Sequence, residues 1–301
     1  MNAWSAPLGQ AFGERLDADA VAQVLAHQRA SGMRFGESAV ALGLLKPAEV
    51  EQALARQFRY PVAPPAGSAV RLADELVVVQ QPYAQAAEAF RGLRAQLRLR
   101  LAAIATEAAS PSRALAVVSP ASGEGRSHVA ANLAVAFSQS GERTLLIDAD
   151  LRRPRQHRIF ASGVQDPATG TGADPAPSSG GLAQMLSGRS ERLSVDAVPG
   201  LPSLFVLAAG TVPPNPLELL EGQALTQLLA DVVGKFEHVV VDTPAMSLGM
   251  DAAVIAAACG AALMVLRPGK SSLAAAQDLM ASLPAEGAAF AWAGATFNRR
   301  P

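Results

Sequence analysis

Residues 114–150, ALAVVSPASGEGRSHVAANLAVAFSQSGERTLLIDAD, constrain the fold more than any other stretch of the chain. An apolar, β-branched run at 114–118 enters a loop that holds Gly123 and Gly125. Apolar periodicity predicts a helix over about 127–140. After Gly141 a second apolar run, 144–147, ends on Asp148. The order is therefore strand, loop, helix, strand. A loop of this kind turns backbone N–H groups toward an anion, and the helix N-terminus adds partial positive charge. The first candidate ligand is a nucleoside triphosphate.

The loop reads Pro120-Ala-Ser-Gly123-Glu124-Gly125-Arg126-Ser127. The phosphate-loop pattern requires a Gly, four residues, then Gly-Lys-Ser/Thr. Gly125 and Ser127 fit it, Pro120 stands for the first Gly, and Arg126 stands for the Lys. By itself this match is weak. Two later segments strengthen it. Leu145-Leu-Ile-Asp148-Ala-Asp150-Leu-Arg152 puts two carboxylates beyond an apolar strand, and Val239-Val-Val-Asp242-Thr-Pro244 ends another strand on a carboxylate. Acids at the carboxyl ends of parallel strands, beside a phosphate loop, are what a Mg-nucleotide site requires. Each Asp could instead cap its strand end, but three at these spacings argue against that.

This trio resembles the deviant Walker ATPases related to MinD and ParA. Within them it looks most like the bacterial tyrosine kinases, or BY-kinases, of exopolysaccharide loci. Leu145 to Arg152 matches that family's hhhDxDxR segment, and Val239 to Pro244 its hhhDxxP segment. The ATPase branch would carry a signature Lys where Ala121 stands, which favours the kinase branch. The resemblance covers about 80–299. It implies ATP and Mg2+ as cofactors and a membrane chain-length-determinant partner.

Composition narrows the classes. Of 301 residues half are hydrophobic and the net charge is −1, so a sizeable core is available and nothing in the total points to nucleic acid. Only Lys46, Lys235 and Lys270 are lysine, so an Arg at position 126 follows the bias of the chain. The single Cys259 leaves no internal disulfide and reads as a small core residue. No apolar run approaches the ~20 residues that span a bilayer. The first residues lack the basic-then-apolar order of a signal peptide. The expectation is a cytoplasmic protein brought to the membrane by its partner.

The expected fold class is α/β: a doubly wound, mostly parallel sheet preceded by a small helical domain. That first domain covers 1–60, with helices from Asp17 to about 30, over 34–42 and over 47–58. Leu16, Val21, Leu25 and Gln28 recur 29 residues later as Leu45, Val50, Leu54 and Gln57. The second copy, with Arg34-Phe-Gly36 and Leu42-Gly43, resembles the N-terminal domain of type II secretion and pilus ATPases. Some of those domains bind cyclic di-GMP. The first copy has Ser5, Pro7 and Glu14 at the matching places, so an adaptor whose leucines are core stands beside the sensing reading.

Residues 61–82, with Pro61, Pro64, Pro65 and Pro82, read as a linker. A helical pattern over 83–98 places Glu88, Arg91 and Arg94 three apart on neighbouring turns. Such a face is either solvated or, as the kinase resemblance implies for an ExxRxxR helix here, a contact between subunits of a ring. Arg153, Arg155, His157 and Arg158 form a basic cluster that suits phosphate, an acidic segment or solvent. Residues 162–181 are low in complexity and read as a surface insertion. Pro216 is expected to open a helix running to about 233. Strands are expected over 204–207, 261–266 and 290–297.

The resemblance implies a role for each site residue. Loop N–H groups from Gly123, Glu124, Gly125, Arg126, Ser127 and His128 would hold the phosphates, with Asn298 and Arg299 beside the base. Ser127, Asp148 and Asp242 would serve Mg2+. Asp148 would hydrogen-bond to Mg2+-bound water or accept the proton of a tyrosine hydroxyl, and Asp150 would support the ion. Arg126 keeps the charge of the missing Lys but is larger, planar and forked. Nucleotide binding is therefore safer to expect than rapid turnover. Many relatives carry a tyrosine-rich tail; here the tyrosines are Tyr60 and Tyr83.

Overall fold

Alternate residues of each central strand face opposite helical layers, and both parities are apolar. In a computed structural model, residues 16–47, 49–50, 53, 72–107, 114–160, 180–189, 195–283 and 291–297 are described. The chain divides into two units, 1–62 and 63–301.

The second unit holds a seven-stranded sheet. Its strands are β1 (Ala114–Val118), β2 (Thr144–Asp148), β3 (Asp196–Ala197), β4 (Leu204–Leu207), β5 (His238–Asp242), β6 (Ala261–Leu266) and β7 (Ala291–Phe297). The order across the sheet is β3-β4-β2-β5-β1-β6-β7. Only β3 runs antiparallel, against β4. Ala114, Ala116 and Val118 pack into one core with Leu145 and Ile147, while Leu115 and Val117 pack into the other with Leu146. Burial on both faces explains why these strands read as continuous apolar runs rather than alternating ones.

One face is covered by α3 (Val77–Gln80), α4 (Gln85–Glu107) and α5 (Arg126–Ser138). Helix α5 is buried nearly all round, as its alanines and valines allow. Next come the short helices α6 (Gln156–Phe160) and α7 (Leu182–Leu186). The opposite layer is built from α7, α8 (Pro216–Glu221), α9 (Gln223–Val233), α10 (Asp251–Cys259) and α11 (Leu273–Ser282). Cys259 lies buried in that layer, where burial pushes its thiol pKa up.

Two expectations need correction. The linker ends earlier than Pro82: Leu72, Leu76, Val78 and Val79 are fully buried against α4 and α5. Asn132 of α5 pins this segment, accepting from Val78 N and donating to Glu75 O. Prolines on both sides of this apolar run give the stretch the composition of a linker. The single helix expected from Pro216 is two, because Gly222 sits extended at φ −67°, ψ 155° and interrupts it.

In the first unit Asp17 caps α1 (Ala18–Ser31) by accepting from Ala20 N at 2.8 Å. Gly32, at φ 71°, ends it in the left-handed region. A second helix, α2, spans Phe35–Ala41. Leu16, Val24, Phe35, Ala39, Leu45 and Ala53 form the core of this unit. Most of the third expected helix, all of the 162–181 insertion except 180–181, and Asn298 and Arg299 lie outside the described residues.

Candidate functional site

The central strands bring the acids to one edge. Asp148 ends β2 and Asp242 ends β5, paired in register. Val117 of β1 pairs with Asp242 on its other side, so the loop after β1 begins beside that carboxylate. This edge lies where strand order reverses around β1, the place where open α/β sheets bind ligands.

The loop is shaped by its own residues. Gly123 and Gly125 take φ of 80° and 95°, which only glycine adopts cheaply. Glu124 is buried, and its Oε2 accepts from Ala121 N at 2.8 Å. Its other oxygen meets the Ser271 hydroxyl. The Glu124 side chain thus braces the loop rather than facing a ligand. Residues 267–271, just after β6, close over the same loop. Arg267 Nη1 donates to Gly123 O at 3.2 Å, and Lys270 Nζ donates to Ser122 O at 2.7 Å.

Arg126 does not project outward as a substitute for the missing Lys. Its guanidinium turns into the acids and is buried there. Nη1 donates to Ser119 Oγ at 2.9 Å and Nη2 to Asp150 Oδ2 at 3.1 Å. Nε lies 3.4 Å from Asp242 Oδ1, close enough to pair charges but not aligned for a hydrogen bond. The physical reason is local neutralisation. Three carboxylates at the buried strand ends need a countercharge, and a forked side chain on a long stem reaches two of them.

Two of these acids, Asp148 and Asp242, are held above the usual carboxylate range. Burial pushes the Asp148 carboxyl up to about 8, and the nearby Asp242 charge adds to the rise. Backbone N–H groups of Arg155 and Gln156, both donating to Asp148 Oδ2, oppose it. Asp242 is raised as well, by burial first, against the pull of Arg126 and the Ser127 hydroxyl.

Sequence reading missed Gln156. It is fully buried; its Nε2 donates to Asp242 Oδ2 at 2.8 Å and to Ser127 O at 3.1 Å. One amide therefore ties β5, α5 and the segment after β2 together. No spacing or motif marks a glutamine for this role. Arg152 is legible as the last residue of the acidic segment, and it forks onto buried Asp251 at 3.0–3.2 Å. That pair locks the start of α10 to the acidic turn.

Other candidates lie apart from the acids. The His128 ring packs edge-on against Phe90 and lies 3.3 Å from Asn132, on the α4 side. On α4, Arg91 pairs with Glu88 at 3.0 Å and also meets Pro82 O. Arg94 donates to Ala136 O at 2.7 Å, near the end of α5. Both arginines thus have partners in their own chain. Of the basic cluster, Arg155 pairs with Glu75 at 3.3 Å.

The residues present suit a magnesium nucleotide. Asp242 Oδ1 and Gln156 Oε1 are buried and lack a hydrogen-bond partner among the described residues. Asp242 thus has an acceptor available for a cation, with the Ser127 hydroxyl beside it. Among the described residues no three His, Cys, Asp or Glu side chains form a ready cage. Mg2+ suits such a site, because it is commonly held by one or two carboxylates together with substrate phosphates. Among the described residues no helix is long and apolar enough to cross a membrane.

Comparison with known proteins agrees with this geometry. Residues 115–264 match the family described as CobQ/CobB/MinD/ParA nucleotide binding domain. Tyrosine-protein kinase CpsD of Streptococcus agalactiae is 35% identical over 156 residues, which are 52% of this chain and 62% of the relative. The chain thus spans less than two thirds of that protein. The kinase domain of the Escherichia coli tyrosine kinase ETK is 31% identical, with a TM-score of 0.61 over 74% of this chain and 79% of that one. The chimerical protein CapA2B2 superposes with a TM-score of 0.63 at 27% identity, covering 83% of this chain and 99% of that one.

Proposed function

Because the chain belongs to the bacterial tyrosine kinases, within the MinD/ParA-like nucleotide-binding superfamily, we propose that it transfers the γ-phosphoryl group of ATP to protein tyrosine. The observation that carries this reading is the register of Asp148 with Asp242, directly beside the loop that leaves β1. ATP would supply the phosphoryl group and Mg2+ the charge neutralisation. Ser127 and Asp242 would hold the ion, and the loop from Gly123 to His128 would bind phosphate through its backbone N–H groups. Asp148, once deprotonated, would accept the proton of the attacking hydroxyl. Asp150 would orient Arg126, whose charge balances the acids.

The reading extends to assembly and location. A cytoplasmic protein with a membrane chain-length-determinant partner, acting in exopolysaccharide production, is what the family resemblance supports. A ring whose subunits meet through α4 belongs to the same proposal, with exposed Glu88 as the residue best placed to reach a neighbour. The acceptor would be Tyr60, Tyr83 or a tyrosine on another protein.

One observation favours a second reading. The Arg126 charge is already committed to Asp150 and Asp242, as suits a nucleotide-binding scaffold with slow chemistry. Labelled ATP and Mg2+, read separately for phosphotyrosine and free phosphate, discriminate the two. Transfer to tyrosine that disappears in Asp242→Ala supports the kinase. Free phosphate without phosphotyrosine would point to a MinD/ParA-like ATPase, and neither product to the scaffold.

A further inference from the structure

The loop after β6 carries two cations onto the phosphate loop, and no motif accounts for them. Lys270 is exposed, and its ammonium rests on Ser122 O at 2.7 Å. It occupies space next to Gly123: a Cβ built there would lie 2.6 Å from Nζ. Arg267 reaches Gly123 O from the same turn. The turn is braced, since Ser271 Oγ accepts from Arg267 N at 2.8 Å and also meets buried Glu124. Among the described residues neither cation has a carboxylate within ion-pair reach.

The charge balance gives these cations a purpose. An incoming polyphosphate would face the buried acids Asp148, Asp150 and Asp242. The cation that the motif would aim at it, at position 126, is bound inward to Asp150 and Asp242. Backbone N–H groups carry only partial charge. A full positive charge on the outer side of the loop would complement Mg2+ and the backbone N–H groups there. An ammonium on a flexible four-carbon stem can turn from a carbonyl to an anion without moving the backbone. We propose that Lys270, seconded by Arg267, is the phosphate-binding cation of this site, in the place that a loop lysine would otherwise fill.

The assignment rests on the nucleotide reading above, and the test separates the two. Calorimetric titration of the full chain with adenosine, ADP and ATP compares wild type with Lys270→Gln and Lys270→Arg. Glutamine keeps a donor for Ser122 O but removes the charge; arginine keeps both. Lys270→Gln should weaken ATP by about tenfold or more, ADP by less and adenosine not at all, as expected for loss of a charge-assisted contact. Lys270→Arg should recover most of the loss. Raising the salt concentration should narrow the gap between wild type and Lys270→Gln. Equal weakening of all three ligands would assign Lys270 a purely structural role and overturn the proposal. So would unchanged ATP affinity in Lys270→Gln. Wild-type protein that binds none of the three would overturn the nucleotide site itself, and this assignment with it.

Discussion

The two flanks of the phosphate loop treat positive charge in opposite ways. On the inner flank Arg126 is buried and divided between Asp150, Asp242 and Ser119. On the outer flank Lys270 is exposed and meets only a loop carbonyl among the described residues. A buried cation among acids is committed to the fold, because removing it strands charges that water cannot reach. An exposed one contributes little to the fold and stays available to a ligand. Charge near a phosphate loop is thus not evidence of phosphate binding until its partners are known.

Stability is the sharpest way to break this comparison. Arg126→Ala should cost about 3–5 kcal/mol, the range for removing one partner of a buried ion pair. Lys270→Gln should leave the urea midpoint almost unmoved. Equal losses in the two variants would erase the distinction between flanks. A smaller effect tests the support behind the acids. Gln156→Ala leaves Asp242 Oδ2 without its amide donor and should cost about 1–3 kcal/mol. No loss in unfolding experiments would mean that the amide does not hold β5 and α5 together.

The third prediction concerns pH. The native Asp148 carboxyl is raised to about 8, so the folded protein holds a proton that the unfolded chain releases. The sign follows directly: stability from this group is complete below about pH 4 and is lost as pH rises through about 8. In Asp148→Asn the slope over that window should flatten, by at most about 1.4 kcal/mol per pH unit. Parallel stability curves for the two proteins would show that the inner flank is neutralised without that proton. Smallest is Arg94→Ala, which frees the Ala136 carbonyl and should cost about 0.5–1.5 kcal/mol. Sedimentation of the same variant, combined with Arg91→Ala, measures the proposed ring contact. Unchanged assembly would leave these arginines with their intrachain role alone.

Much of the scaffold was legible in the chain. Strands buried on both faces announce themselves as apolar runs, and the acids that end β2 and β5 stand where those runs stop. Asp17 was readable as a cap because its bond to Ala20 N spans only three residues. Gly222 was harder. A glycine inside a helical pattern can be tolerated or can break it, and neighbouring packing decides between them. The buried segment at 72–80 was missed because its anchor, Asn132, lies far away in sequence.

By itself, then, the sequence determined a phosphate loop between apolar strands, three acids at their ends and the family to which these motifs belong. Those features arise from local spacing and from the periodicity of buried strands and helices, which short stretches carry whole. Tertiary structure alone decided which way the charged side chains turn. Arg126 faces inward because Asp150 and Asp242 arrive from two other strand ends, and Lys270 reaches the loop from a turn 148 residues beyond Ser122. Ion pairing depends on distance and burial in three dimensions, and neither can be read from the order of residues along the chain.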